Sequence, residues 1–198
     1  MEQVSRTIQG LIELTWPMVI ISIVIVVSLR VTYLIKNHLH LTLYKELLML
    51  SFIIYILCLF QVVTFQDATS WSSNNFIPFR EMFRYRLGSR LFFKNVLGNI
   101  TLFIPFGLFS SHYLKLEKPY LILLLTLIAS FSIELVQMVI GRVFDVDDIL
   151  LNVVGGIIGF YIYRFIVKVM NKLPDFMKSE VFLNIISIII LVGIIALI

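Results

Sequence analysis

Glu134 and Gln137 stand three residues apart inside an apolar run, so a helix places both on one face about two turns before the run ends. An ionisable group at that depth is costly in an apolar medium and calls for a partner. Arg142 is the candidate, and Asp145, Asp147 and Asp148 follow it closely. Asp147 has an ordinary explanation as a helix-starting cap, favoured by the positive end of the helix dipole. Three carboxylates exceed what capping requires. Their oxygens could hold Mg²⁺ or Ca²⁺ at Asp145, Asp147 and Asp148, although the spacing is not a diagnostic metal motif. Asn95 and Asn99, four residues apart, share a helical face ahead of Pro105 and Gly107. Pro105 removes a backbone hydrogen bond, which should kink its helix. Asp148, Asn152, Gly155 and Gly159 recur at intervals of four, three and four, a narrow stripe whose glycines predict close packing of a second helix.

Between Gln66 and Arg90 lies the longest polar stretch, with Asn75, Phe76, Pro78, Phe79, Arg80, Phe83, Arg84 and Arg86. Aromatic rings interleaved with arginines suit a lipid headgroup layer, so an interfacial loop or short in-plane helix is expected there.

The elements that must position these groups follow from composition. Of 198 residues, 60% are hydrophobic and 14% charged, against roughly 45 to 50% apolar and about 25% charged in soluble domains. The apolar residues fall in blocks near the roughly 20 residues that cross a bilayer: Leu14 to Ile35, Leu43 to Phe65, Leu91 to Leu114, Tyr120 to Ile140, Ile149 to Val169 and Phe182 to Ile198. Runs such as Ile20 to Val27 do not alternate as barrel strands do. The fold expected is all-α, a polytopic transmembrane helical bundle of about six spans, or five if the last block does not cross. The first block exceeds a signal-peptide core and lacks a cleavage pattern, so it is expected to remain as a helix. The organisation expected is an N-terminal helix and loop over residues 1–42, a helical core over 43–170, and a C-terminal loop and helix over 171–198.

Cys58 is alone inside the second span, expected to be buried as a small apolar residue. No basic run or nucleic-acid motif is present, and nucleic acid is not an expected partner; the net charge of +4 suits anionic lipid. Lysine and arginine counts narrowly favour cytoplasmic loops after spans one, three and five, with both ends of the chain outside. Six spans also bring the starts of spans three and five, the end of span four and the Arg80 region to one membrane face. No comparable polar set is expected at the other face, where His38, His40 and His112 fall.

The compound pattern resembles a known family. Asn75 to Arg80 (NFIPFR), Asn95 to Asn99 (NVLGN) running into LFIPFG, the SIELVQ segment ending at Gln137, and Gly141 to Asp148 (GRVFDVDD) with Asn152 and Gly155-Gly156 resemble the VanZ-like bacterial membrane proteins across roughly Tyr55 to Tyr163. The resemblance implies a multi-pass protein of the bacterial cell membrane, linked to low-level resistance to the glycopeptide antibiotic teicoplanin. It supplies no reaction. The candidate binding residues are Asn75, Arg80, Asn95, Asn99, Glu134, Gln137, Arg142, Asp145, Asp148 and Asn152.

The leading expectation is a binding or shielding module for an envelope lipid headgroup, a lipoglycopeptide antibiotic or a lipid-linked cell-wall precursor, with guanidinium groups meeting phosphate or carboxylate. A membrane enzyme acting on a lipid-linked phosphate headgroup would use Glu134, Asp145 and Asp148 as its catalytic set. A lipid transporter lacks the internal repeat such proteins often carry. A fourth reading has these groups simply locking the bundle.

Overall fold

The computed structural model of the chain describes residues 2–65, 74–80, 82–84 and 88–197. Positions 66–73 and Arg86, part of the expected interfacial segment, lie outside the described residues. The described chain is helical: α1 (Glu2–Lys36), α2 (Leu43–Phe65), α3 (Arg90–Phe92), a π-helical turn (Phe93–Leu97), α4 (Gly98–Leu114), α5 (Pro119–Val139), α6 (Val146–Lys172), α7 (Asp175–Lys178) and α8 (Glu180–Leu197).

Among the described residues, five segments are long and apolar enough to cross a membrane: Trp16–Lys36, Leu43–Val63, Arg90–Leu114, Pro119–Val139 and Val146–Lys172. This is a multi-pass membrane protein. The sixth apolar block lies on α8 (Glu180–Leu197), of which Glu180–Gly193 is a shorter apolar stretch among the described residues.

The chain divides into two compact units, Met1–Val62 with Lys172–Ile198, and Val63–Asn171. In the first, Arg30 grips Glu46 with both ends of its fork, Nε to Oε2 at 2.8 Å and Nη2 to Oε1 at 2.9 Å, and lies over the Tyr33 ring. Asn184 Oδ1 accepts the Tyr44 backbone N–H at 3.0 Å, satisfying one of the open donors at the start of α2. Lys45 Nζ meets Glu180 Oε1 at 3.1 Å. Arg30, Glu46 and Asn184 sit within apolar helices and meet their partners only through tertiary packing, and Cys58, expected to be buried, is exposed on α2.

The second unit is built on a glycine crossing. A Cβ on Gly155 would overlap the Ile100 carbonyl, one on Gly159 the Ile104 carbonyl, and one on Gly107 the Gly156 backbone. Only hydrogen at these positions lets α4 and α6 approach so closely. A Cβ on Gly156 would strike Thr126 of α5, so α6 lies against both neighbours. The expected stripe of Asp148, Asn152, Gly155 and Gly159 splits at Asn152: Asp148, Gly155 and Gly159 meet α4, whereas Asn152 bonds Ser130 of α5. α4 runs continuously through Pro105, and the irregular turn lies earlier, at Phe93–Leu97.

Candidate functional site

The reversal from α5 into α6 gathers the polar residues. α5 ends with Gly141 at φ +82°; the Gly141 N–H donates to Met138 O at 3.2 Å and Arg142 N–H to Gln137 O at 2.9 Å. This is the glycine-terminated helix end in which a left-handed residue satisfies the last carbonyls. The chain then enters α6 through Asp145, whose Oδ1 accepts the Asp147 N–H at 2.9 Å.

Asp145 is therefore the cap, and the expected capping role of Asp147 is corrected. Asp147 is 1% exposed, and its two oxygens accept the backbone N–H groups of Phe79 and of Met82, the latter at 3.1 Å. The reason is register: α6 begins at Val146, so the residue before it caps while Asp147 is free to face the 75–82 turn. Carboxylate oxygens bound to amide N–H make charge-assisted bonds, stronger than neutral ones.

That turn is fixed at its other end by Asn75. Asn75 N–H donates to Phe144 O at 2.8 Å, and Val146 N–H to Asn75 O at 3.0 Å, a parallel bridge between Asn75 and Asp145. Asn75 Nδ2 donates to Asp145 Oδ1 at 2.9 Å, and Asn75 Oδ1 accepts from Ile77 N–H. Asn74 Oδ1 accepts the Phe144 N–H at 3.0 Å. Phe79 sits at φ +69°, a conformation rare for a bulky residue; the Asp147 carboxylate on its N–H holds it there.

Glu134, 2% exposed, accepts the Asp145 N–H at 2.9 Å through Oε2. The expected Glu134–Arg142 partnership is not a contact: Arg142 Nη1 donates to the Val63 carbonyl, as does Gln137 Nε2 at 3.2 Å. Asn99 Nδ2 donates to Asp148 Oδ1, joining α4 to α6. Asn152 Nδ2 donates to Ser130 Oγ at 2.8 Å, joining α6 to α5. Asp148 and Asn152 thus face different helices. Asp148 lies within electrostatic reach of Glu134, Asp145, Asp147 and Arg142.

The model of the VanZ/LLP1 family matches residues 52–168, more than half of the 198-residue chain. The chain belongs to the VanZ/LLP1 family. No curated protein and no solved structure matches it. The VanZ/LLP1 match extends from α2 to near the end of α6 and takes in the whole polar network.

Within the VanZ/LLP1 region the site residues fall into separate hydrogen-bonded groups: Asn75 with Asp145 and Glu134, Gln137 with Arg142 on the Val63 carbonyl, Asn99 with Asp148, and Asn152 with Ser130. Asn95, half-buried in the π-helical turn, makes no side-chain hydrogen bond among the described residues, and Arg80 is exposed on the 75–82 turn. Exposed with Arg80 are Phe76, Phe79 and Phe83, at 66%, 52% and 84%, so rings and guanidinium stand out together from a turn whose backbone is pinned.

The fit to a divalent cation is poor. Asp145 faces its own helix end and Asn75, Asp147 the turn, and Asp148 Asn99. Among the described residues no group of three His, Cys, Asp or Glu side chains is placed to hold a metal ion. Residues not singled out from sequence are Thr126 and Ser130, both fully buried. Their signal is the four-residue spacing Thr126, Ser130, Glu134, which continues the Glu134 face along α5.

Proposed function

We propose that this VanZ/LLP1 protein is a binding module of the bacterial cell membrane, engaging or shielding the anionic headgroup of an envelope lipid or a lipoglycopeptide and contributing to teicoplanin resistance. The observation that carries the reading is the 75–82 turn: Asp147 and Asn75 fix its backbone, and Arg80 stays exposed among Phe76, Phe79 and Phe83. A guanidinium offers a planar fork to phosphate or carboxylate, and rings of this kind favour the headgroup layer. The turn is a preorganised presentation of that fork, so little ordering cost falls on binding. Glu134, Asp145, Asp147 and Asp148 serve as the framework behind it.

Titration of undecaprenyl phosphate, and separately of teicoplanin, into purified protein in phosphatidylcholine nanodiscs tests the reading. Saturable binding of either is expected, and saturable binding of neither overturns it. The enzymatic alternative draws on the shared electrostatic neighbourhood of Glu134, Asp145 and Asp148; release of phosphate from the lipid in the same nanodiscs, lost in Glu134→Gln, would favour it.

A further inference from the structure

The interior of the α4–α6 bundle contains polar atoms that the network leaves unsatisfied. Thr126 is fully buried and Asn152 is 5% exposed, yet among the described residues Thr126 Oγ1 and Asn152 Oδ1 have no hydrogen-bond partner. Their positions are linked. Asn152 Nδ2 is committed to Ser130 Oγ at 2.8 Å, which fixes the amide across the α5–α6 contact. Thr126 is one turn from Ser130 on α5 and packs on Gly156, one turn from Asn152 on α6.

The two orphan atoms therefore lie on adjacent turns of one helix pair, and their chemistry is complementary. Asn152 Oδ1 can only accept, whereas the Thr126 hydroxyl donates and accepts. Buried polar atoms left unpaired are costly and are commonly satisfied by internal water, which supplies both donors and acceptors. A metal cation is less suited, since the oxygens at this level are neutral and no carboxylate shares the turn.

We propose that water is bound inside the bundle between Thr126 and Asn152, extending the polar face of α5 from Glu134 to Thr126 as a hydrated shaft. The shaft ends at an apolar plug. One turn beyond Thr126, Ile122 is fully buried in an apolar cluster with Leu116 and Phe160, backed by Phe106 and Leu125. At the other end Glu134, 2% exposed, is covered by the Asp145 N–H, with Asp148 and Arg142 within electrostatic reach. This inference is independent of any ligand at the 75–82 turn.

Magnetisation transfer from water protons in solid-state NMR of the ¹⁵N-labelled full chain in phosphatidylcholine bilayers gives the test. The Asn152 side-chain amide, committed to Ser130 Oγ at 2.8 Å, should receive transfer from water, whereas the backbone amide of Phe160, in the plug, should receive none. Absence of transfer to the Asn152 amide in the wild type would mean a dry interior and overturn the proposal without recourse to any variant. Thr126→Val alone should lower the thermal midpoint; a rise would mean that the hydroxyl was dry and would also count against it.

Discussion

The two units treat carboxylates in opposite ways. In Met1–Val62 with Lys172–Ile198, Glu46 and Glu180 meet the cations Arg30 and Lys45. In Val63–Asn171, Glu134, Asp145 and Asp147 meet backbone N–H groups, and Asp148 meets an amide side chain. An ion pair joins two side chains and leaves the backbone path unspecified. A carboxylate on amide N–H groups dictates where the chain goes. The difference teaches what the acidic residues of the VanZ/LLP1 region do beyond any pairing of charge: they shape the turn that carries Arg80.

The comparison breaks most severely at the glycine crossing that sets the network's spacing. Gly156→Leu should cost at least about 3 kcal/mol, because even a Cβ there strikes Thr126; monodisperse protein would be lost on size exclusion. Retention of a wild-type midpoint would mean that the α5–α6 contact is looser than described. Next in size is Asp147→Ala, which leaves the Phe79 and Met82 N–H groups unpaired and should cost about 2 to 3 kcal/mol. Hydrogen exchange at those two amides should accelerate while that at Asn152 stays slow. Unchanged protection would remove Asp147 as the anchor of the turn.

A smaller loss, about 1 kcal/mol, is expected for Asn75→Ala, since the side-chain bond to Asp145 goes while the backbone bridge remains. Smallest is Glu46→Gln in the other unit: with the Arg30 side chain 37% exposed, the pair is worth at most about 1 kcal/mol. Stability measured by denaturant in detergent should rank the three in that order, and a larger loss for Glu46→Gln than for Asp147→Ala would invert the contrast between the units.

Much of the second unit was legible in sequence because its signals are periodic. The Asp148 to Gly159 stripe specifies a close helix contact, and Asn99, Glu134, Gln137 and Asn152 stand out against apolar surroundings. The roles of Asp145 and Asp147 were not legible, since they depend on whether α6 begins one residue earlier or later, within the ordinary uncertainty of helix ends. Asn75 was readable as polar but not as a buried bridge, because its partner Asp145 lies 70 residues away. The Arg30–Glu46 and Tyr44–Asn184 contacts escape for the same reason: each joins helices whose packing no local pattern encodes.

Arg80 gives the most direct test of the whole account, because it is exposed and makes no side-chain hydrogen bond among the described residues. Undecaprenyl phosphate is titrated into wild-type, Arg80→Ala and Glu46→Gln proteins in phosphatidylcholine nanodiscs. Loss of a charge-assisted contact worth about 1.5 to 3 kcal/mol should weaken binding to Arg80→Ala by roughly ten-fold or more, with Glu46→Gln binding as wild type. Equal affinity for wild type and Arg80→Ala would contradict the assignment of the 75–82 turn as the headgroup-binding surface.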